Sequence, residues 1–328
     1  MSETSFNAYQ AIKQNTPAEL VTLSVDDLVG GDLLVKVTYS SLNYKDGLAM
    51  TGYPGVVETY PLTCGIDLAG EVVGAAGGFA VGDQVVLTGD NLSQTKPGGY
   101  SQYQRVDPDF VVKAPERLGT WGAMAVGTGG LTGMFCVMRL QKAGITPESG
   151  PVLVTGASGG VGSYATQILA RLGYTVEAVA GTSGKEDYLK SLGATTVYER
   201  DELAGDVEPL ADERWAGAVD CVGGSPLAKV LSQVQYSGSV ACCGLAGGQD
   251  LPSSVMPFII RNVSLQGVDS VHAPAEERAE AWAKLDELFT SEELHHVAHA
   301  EPFAKLPDLA QQILAGEIRG RVVIDVAG

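Results

Sequence analysis

The sequence predicts an α/β protein of two domains, a small antiparallel, barrel-like β unit joined to a doubly wound parallel sheet. Three observations predict it. The chain has 328 residues, 45% of them hydrophobic, which is long for one domain and sufficient for two cores. Up to about Pro115, short apolar runs are separated by glycine turns such as Gly30-Gly31 and Gly77-Gly78, with no long helical pattern. Later, β-branched runs alternate with segments of helical spacing, the rhythm of βαβ units.

In the first region strands are expected at Asp32–Thr38, Asp67–Val73 and Asp83–Thr88. From Trp121 to Leu140 the texture turns apolar and helix-prone. Strands then follow at Val152–Thr155, Thr175–Ala180, Ala194–Tyr198, Ala216–Cys221, Gly238–Cys243 and Val263–Gly267. Helices at Val161–Leu172, Lys185–Leu192 and Pro226–Gln235 fall between them. A helix at Ala275–Phe289, a strand near Val297–Glu301, a helix at Asp308–Ala315 and a strand at Arg321–Val326 close the chain.

The most informative segment runs from Val152 to Ser163, an apolar strand ending in Ala157-Ser158-Gly159-Gly160-Val161-Gly162 and passing into a helix. A strand that turns sharply into a helix aims backbone N–H groups and the helix dipole at the turn, which suits a pyrophosphate. Gly159 allows close backbone approach and Gly162 allows tight helix–strand packing. Ala157 replaces the usual first glycine, and an ordinary tight turn is the competing interpretation.

Charge and cysteines narrow the partners. A formal net charge of −18 disfavours nucleic acid and anionic membrane surfaces, which need a basic footprint. No apolar run reaches the roughly 20 residues that span a bilayer, and the N-terminus lacks a basic, apolar signal pattern. Cys64, Cys136, Cys221, Cys242 and Cys243 form no C-x-x-C pair, which argues for a cytoplasmic chain without a disulfide framework. Cys242 and Cys243 fall in an apparent buried strand and read as small apolar residues. His295 and His299 have helical i, i+4 spacing, yet a solvated surface is the commoner outcome than a metal site.

Several segments together resemble the medium-chain dehydrogenase/reductase superfamily over nearly the whole chain. They are Cys64–Val72, Val81-Gly-Asp-Gln-Val85, Gly98–Tyr103, Gly127–Gly133 and the glycine turn. Ser40–Asp46, Met256–Val263 and Leu265–Ser270 are similar to its quinone-oxidoreductase-like branch, which includes NADPH-dependent acryloyl-CoA reductases. The resemblance implies a GroES-like β-barrel catalytic domain over 1–123 with a C-terminal return over 271–328. It implies a Rossmann NADPH-binding domain over 124–270, and a homodimer formed through the sheet edge near Val263–Val268.

Aligned by motif, the positions of the catalytic zinc ligands of alcohol dehydrogenases fall on Asn43, Ile66 and Thr128, and the structural-zinc cysteine cluster is missing. No catalytic zinc is therefore expected. Without a Lewis acid, the accessible chemistry is hydride addition to a carbon already made electrophilic by conjugation, with the protein supplying alignment and hydrogen bonds.

At the end of the second Rossmann strand, an acidic residue would bind the ribose 2′-OH. Here Gly181, Thr182, Ser183, Gly184 and Lys185 follow, and Glu177 sits too early. Hydroxyls and a lysine suit a 2′-phosphate, with Arg200 implied as a further partner, so NADPH is the expected cofactor. The resemblance adds Ser158, Gly159, Gly160, Val161, Leu245, Ile260 and Ser270 as cofactor contacts.

Tyr44, next to Asn43, is implied to lie beside the nicotinamide, either donating a proton or only positioning the cofactor. Tyr53 occupies a region where related enoyl reductases carry a donor tyrosine. Lys45 and Asp46 read as structural. Arg261 and Asn262 are candidates for substrate phosphates, or for a helix-end salt link. The expected function is NADPH-dependent reduction of an activated double bond, with acryloyl-CoA favoured. A quinone or small-enone reductase is the alternative, and a non-catalytic NADPH-binding protein is the reading from another class.

Overall fold

The computed structural model describes residues 4–180 and 184–328. Numbered in chain order, the first part holds β1 (Ser5–Ala11), β2 (Glu19–Ser24), β3 (Leu33–Ser41), α1 (Tyr44–Thr51) and β4 (Leu62–Thr63). It continues with β5 (Asp67–Gly74), β6 (Gln84–Thr88), β7 (Tyr103–Val106), β8 (Val112–Lys113) and α2 (Gly119–Lys142). Next come β9 (Val152–Val154), α3 (Gly160–Arg171), β10 (Val176–Val179), α4 (Glu186–Ser191), β11 (Thr196–Tyr198) and β12 (Trp215–Asp220). They are followed by α5 (Gly224–Gln233), β13 (Val234–Cys242), α6 (Met256–Arg261) and β14 (Ser264–Gly267). The chain ends with α7 (Ala275–Leu288), α8 (Ser291–Leu294), β15 (Ala298–Pro302), α9 (Leu306–Leu314) and β16 (Arg321–Asp325).

Two compact units emerge, Met1–Thr128 with Val271–Gly328, and Gly129–Ser270. In the first, the described residues form a sheet in the order β15-β16-β3-β5-β6-β8, with β7 also on β3, and a smaller sheet β2-β1-β4. Period-two patterning explains its core. Leu33, Val35 and Val37 of β3 point inward with Leu68, Val72, Val85 and Leu87, and Val322 and Ile324 of β16 join them. The last strand pairs antiparallel with β3, Ile324 opposite Ser40. Thus the C-terminal return is built into the first unit.

The second unit is a six-stranded sheet among the described residues, in the order β11-β10-β9-β12-β13-β14, every neighbouring pair parallel. This is the doubly wound order, with its switch point between β9 and β12. Trp215, Leu153, Val230, Leu231 and Val240 form the core on one side of this sheet.

Three sequence expectations change. Helix α2 is long and apolar enough to cross a membrane by length and composition, contrary to the reading of the runs. It is nonetheless mostly buried in protein, and Gly127, with φ 51° and ψ −164°, kinks it. His295 and His299 do not share a helix, because α8 ends at Leu294 and β15 starts at Ala298; His295 stacks on Trp121 with ring centroids 4.0 Å apart. Cys243 lies just past β13, its sulfur 4.0 Å from that of Cys221, so it is more than a small apolar filler.

Candidate active site

In the first unit, β3 delivers Ser41 to a buried polar centre, and two residues later Asn43 caps α1. The carboxylate of Asp67, at the start of β5, is the hub. It accepts from Ser41 Oγ (2.5 Å), Asn43 Nδ2 (2.9 Å), the Thr128 backbone N–H (2.9 Å) and Thr128 Oγ1 (2.5 Å). Arg321, buried at the head of β16, donates to Asn43 Oδ1 (2.9 Å), Ser41 Oγ (3.0 Å) and the carbonyls of Leu42 (3.1 Å) and Ala125 (3.3 Å). A Cβ on Gly127 would lie 2.4 Å from Arg321 Nη2, so glycine is required at the kink.

Asp46 closes the network from inside α1. It accepts from the Asn43 backbone N–H (2.9 Å), Asn43 Nδ2 (3.0 Å) and the Ile66 N–H (2.9 Å). Burial, and then the neighbouring Asp67 charge, push its carboxyl up to about 7 against those hydrogen bonds. Asn43 is thereby held by a cation on its oxygen and by carboxylates on its nitrogen. Tyr44, the next residue, is 56% exposed and so presents its ring outward from a fixed helix start. Tyr53 is also exposed, but it lies past the left-handed cap Gly52, beyond the far end of α1 from Tyr44.

Zinc does not fit this donor set. Ile66 offers no ligand atom, and the side chains at Asn43 and Thr128 are spent on the Asp67 hub. Beside the hub, Lys45, Ile66, Gly89, Asn91, Leu92, Thr128 and Val271 line a small hollow of about 20 Å³, room for about one water. In the loop that supplies Asn91, three non-glycine residues, Asp90, Asn91 and Ser93, have positive φ, a cost of the kind that functional sites retain. Lys45 Nζ donates to Gln94 Oε1 at 2.6 Å, and burial lowers its pKa.

In the second unit, β9 ends at the glycine turn. Gly156 has φ 58°, and Gly159 caps α3, whose first turn contains Gly160 and Val161. N–H groups in that first turn have no acceptor within the helix and face the turn. A Cβ on Gly162 would lie 2.4 Å from the Gly156 carbonyl oxygen, whereas one on Gly159 would meet only that oxygen, at 3.3 Å. Gly162 therefore serves packing and Gly159 serves approach. Thr155 Oγ1 donates to Asp220 Oδ1 (2.7 Å), and Asp220 Oδ2 accepts from the Gly223 N–H (2.7 Å), which ties the turn to β12. Ser158 lies in the turn itself.

The remaining candidates are spread over this unit. Gly181, Thr182 and Ser183 lie outside the described residues. Lys185 is half-buried at the cap of α4, and Arg200 is exposed just beyond β11. Glu177 is engaged in the interior, accepting from Tyr198 Oη (2.9 Å) and Trp215 Nε1 (2.7 Å). Leu245 and Ile260 are exposed and Ser270 is half-buried. Arg261 donates to the carbonyls of Ser232 and Ala211 and pairs with Glu213 at 3.1 Å, which favours the helix-end link over a ligand role. Asn262, left-handed at the end of α6, donates to Ser237 Oγ. Sequence reasoning missed Asp67 and Arg321. Asp67 follows the motif position of a zinc ligand, which was its available signal.

The family model for alcohol dehydrogenase GroES-like domains matches residues 30–116, and that for zinc-binding dehydrogenases matches residues 160–287. The chain is 49% identical over 313 residues to acrylyl-CoA reductase AcuI of Ruegeria pomeroyi, covering 95% of each chain. It belongs to the medium-chain dehydrogenase/reductase superfamily. Within this superfamily it is also 42% identical over 326 residues to the putative quinone oxidoreductase YhfP of Bacillus subtilis, covering 98% of this chain and 99% of the relative. The yhdH oxidoreductase of Salmonella enterica, solved in complex with NADP, superposes with a TM-score of 0.94 at 44% identity. The match covers 98% of this chain and 99% of that one.

Proposed function

We propose that the chain is an NADPH-dependent reductase of carbon–carbon double bonds conjugated to a thioester carbonyl, with acryloyl-CoA as its substrate. Full-length similarity to a curated acrylyl-CoA reductase at 49% identity carries this reading. The geometry agrees, since a centre built on Asn43, Asp67 and Arg321 positions groups rather than coordinating a metal.

The glycine turn and the N-terminus of α3 hold the cofactor pyrophosphate, and Lys185, Arg200, Thr182 and Ser183 hold the 2′-phosphate. When bound, NADPH supplies a hydride, which adds to the β-carbon of the substrate. Tyr44 hydrogen-bonds at the reacting groups and donates the proton taken up at the α-carbon, and the Asn43 network fixes its backbone. Similarity to YhfP supports quinone reduction as the second reading. The protein is a cytoplasmic homodimer in this proposal. All five cysteines are free, β14 is the terminal strand of its sheet, and Val255 and Ile259 are exposed.

Deuterium labelling tests the reaction. Cofactor deuterated at the transferable position of nicotinamide C4 places one deuterium at C3 of propionyl-CoA, and D₂O places one at C2. Label from the cofactor at C2 contradicts the assignment.

A further inference from the structure

Cys221, Cys242 and Cys243 lie at the C-terminal ends of β12 and β13, and the Cys136 thiol reaches Cys243 there. Asp220 pairs with Cys242 in the parallel register, which sets Cys221 beside Cys243. Neighbouring strands lie about 4.8 Å apart, inside the window of about 4.4–6.8 Å between Cα atoms that a disulfide spans. The two sulfurs are 4.0 Å apart, and both residues are half-buried. Cys243 Sγ donates to Cys221 Sγ at 4.0 Å and to the Asp220 carbonyl at 3.5 Å, and its pairing with the Cys136 and Cys221 thiols lowers its pKa against the effect of burial. Successive side chains on a strand alternate faces, so the adjacent pair Cys242 and Cys243 is not apposed in this way.

The pair is mechanically linked to the glycine turn. Cys221 N–H donates to Thr155 Oγ1 at 3.1 Å, and Thr155 immediately precedes Gly156. A Cβ on Gly156 would sit 3.4 Å from Cys221 Cβ. Gly244 packs on the Cys221 carbonyl, where a Cβ would come within 2.0 Å of the oxygen. Cys221 thus touches both the turn and Gly244, and drawing its sulfur toward Cys243 acts on both.

We propose that Cys221 and Cys243 form a reversible disulfide site whose closure disturbs the glycine turn and weakens dinucleotide binding. The weakening rests on the cofactor reading above, whereas formation of the disulfide does not. The oxidant is a hydroperoxide. The Cys243 thiolate attacks a peroxide oxygen, the O–O bond breaks, and a sulfenic acid and one water result once a proton is taken up. The Cys221 sulfur then attacks Cys243 Sγ, forming the S–S bond and breaking the S–O bond, and its proton leaves with the hydroxide as a second water. Two thiols lose two electrons and one hydrogen peroxide becomes two waters. A dithiol reverses the reaction.

The test treats the full chain with hydrogen peroxide, maps unreduced peptides by mass spectrometry and titrates NADPH by fluorescence. The expected result is a Cys221–Cys243 linked peptide that disappears with dithiothreitol. The NADPH Kd should rise about fivefold or more on oxidation and recover on reduction. Cys243→Ser should abolish the shift and Cys242→Ser should keep it; the peptide map of the unaltered chain decides the linkage even if a variant fails to fold. Oxidation that stops at a sulfinic acid on Cys243, or links other cysteines, overturns the site. A Cys221–Cys243 link with unchanged Kd overturns the coupling. If the reduced chain binds no NADPH, the cofactor reading fails while the map still decides the disulfide.

Discussion

Tyr44 starts a helix whose cap, Asn43, is clamped between the Arg321 guanidinium and two carboxylates, so the tyrosine hydroxyl has a fixed origin. If it donates the proton, Tyr44→Phe lowers kcat by about 10²–10⁴-fold with little change in NADPH affinity. A rise in the NADPH KM at unchanged kcat would instead make it a positioning residue. Asp46 gives a second prediction. Its folded pKa is raised from 3.8 to about 7, so the folded form keeps a proton that the unfolded chain has released. Stability from this residue is present below about 4 and is lost as pH rises toward 7, at up to about 1.4 kcal/mol per pH unit. Asp46→Asn should therefore gain on wild type across that window in chemical denaturation; a pH-independent difference contradicts the assignment. Tyr44 and Asn43 could be picked out in the sequence because they follow a strand at a family position. Asp67 carried only its place after Ile66, and Arg321 carried nothing, because its meaning lies in hydrogen bonds to Ser41, Leu42, Asn43 and Ala125, distant in the sequence, that no local pattern encodes.

At the scale of elements, the strand–turn–helix unit was legible in the order of its residues, since β-branched runs, glycine punctuation and helical spacing are local signals. The helix α1 was not, because eight residues with an internal glycine carry too little periodicity. The triplet in the turn separates two roles. Gly162→Ala places a methyl 2.4 Å from a carbonyl oxygen and should unfold at clearly lower temperature. Gly159→Ala meets that oxygen at 3.3 Å, so its Tm should stay within a few degrees. It should nevertheless weaken NADPH about tenfold by blocking approach. Calorimetry and a binding titration check both, and equal effects of the two substitutions would contradict the division.

For the whole molecule, the doubly wound sheet followed from the alternation of elements and the C-terminal return from the family resemblance, while the surface exposed by α6 had no sequence signal beyond its apolar letters. Val255 and Ile259 are 66% and 68% exposed. Light scattering should give the mass of two 34.1 kDa chains, and Val255→Glu with Ile259→Glu should give one. A wild-type monomer would contradict the dimer proposal. The proposed activity of this chain is reduction of an activated double bond with NADPH. Its most direct test is NADPH oxidation by the purified protein with acryloyl-CoA and with simple quinones, each over a range of concentrations. Saturable turnover of acryloyl-CoA to propionyl-CoA is expected, with kcat/KM well above that for any quinone. Quinone turnover with no propionyl-CoA formed would contradict it.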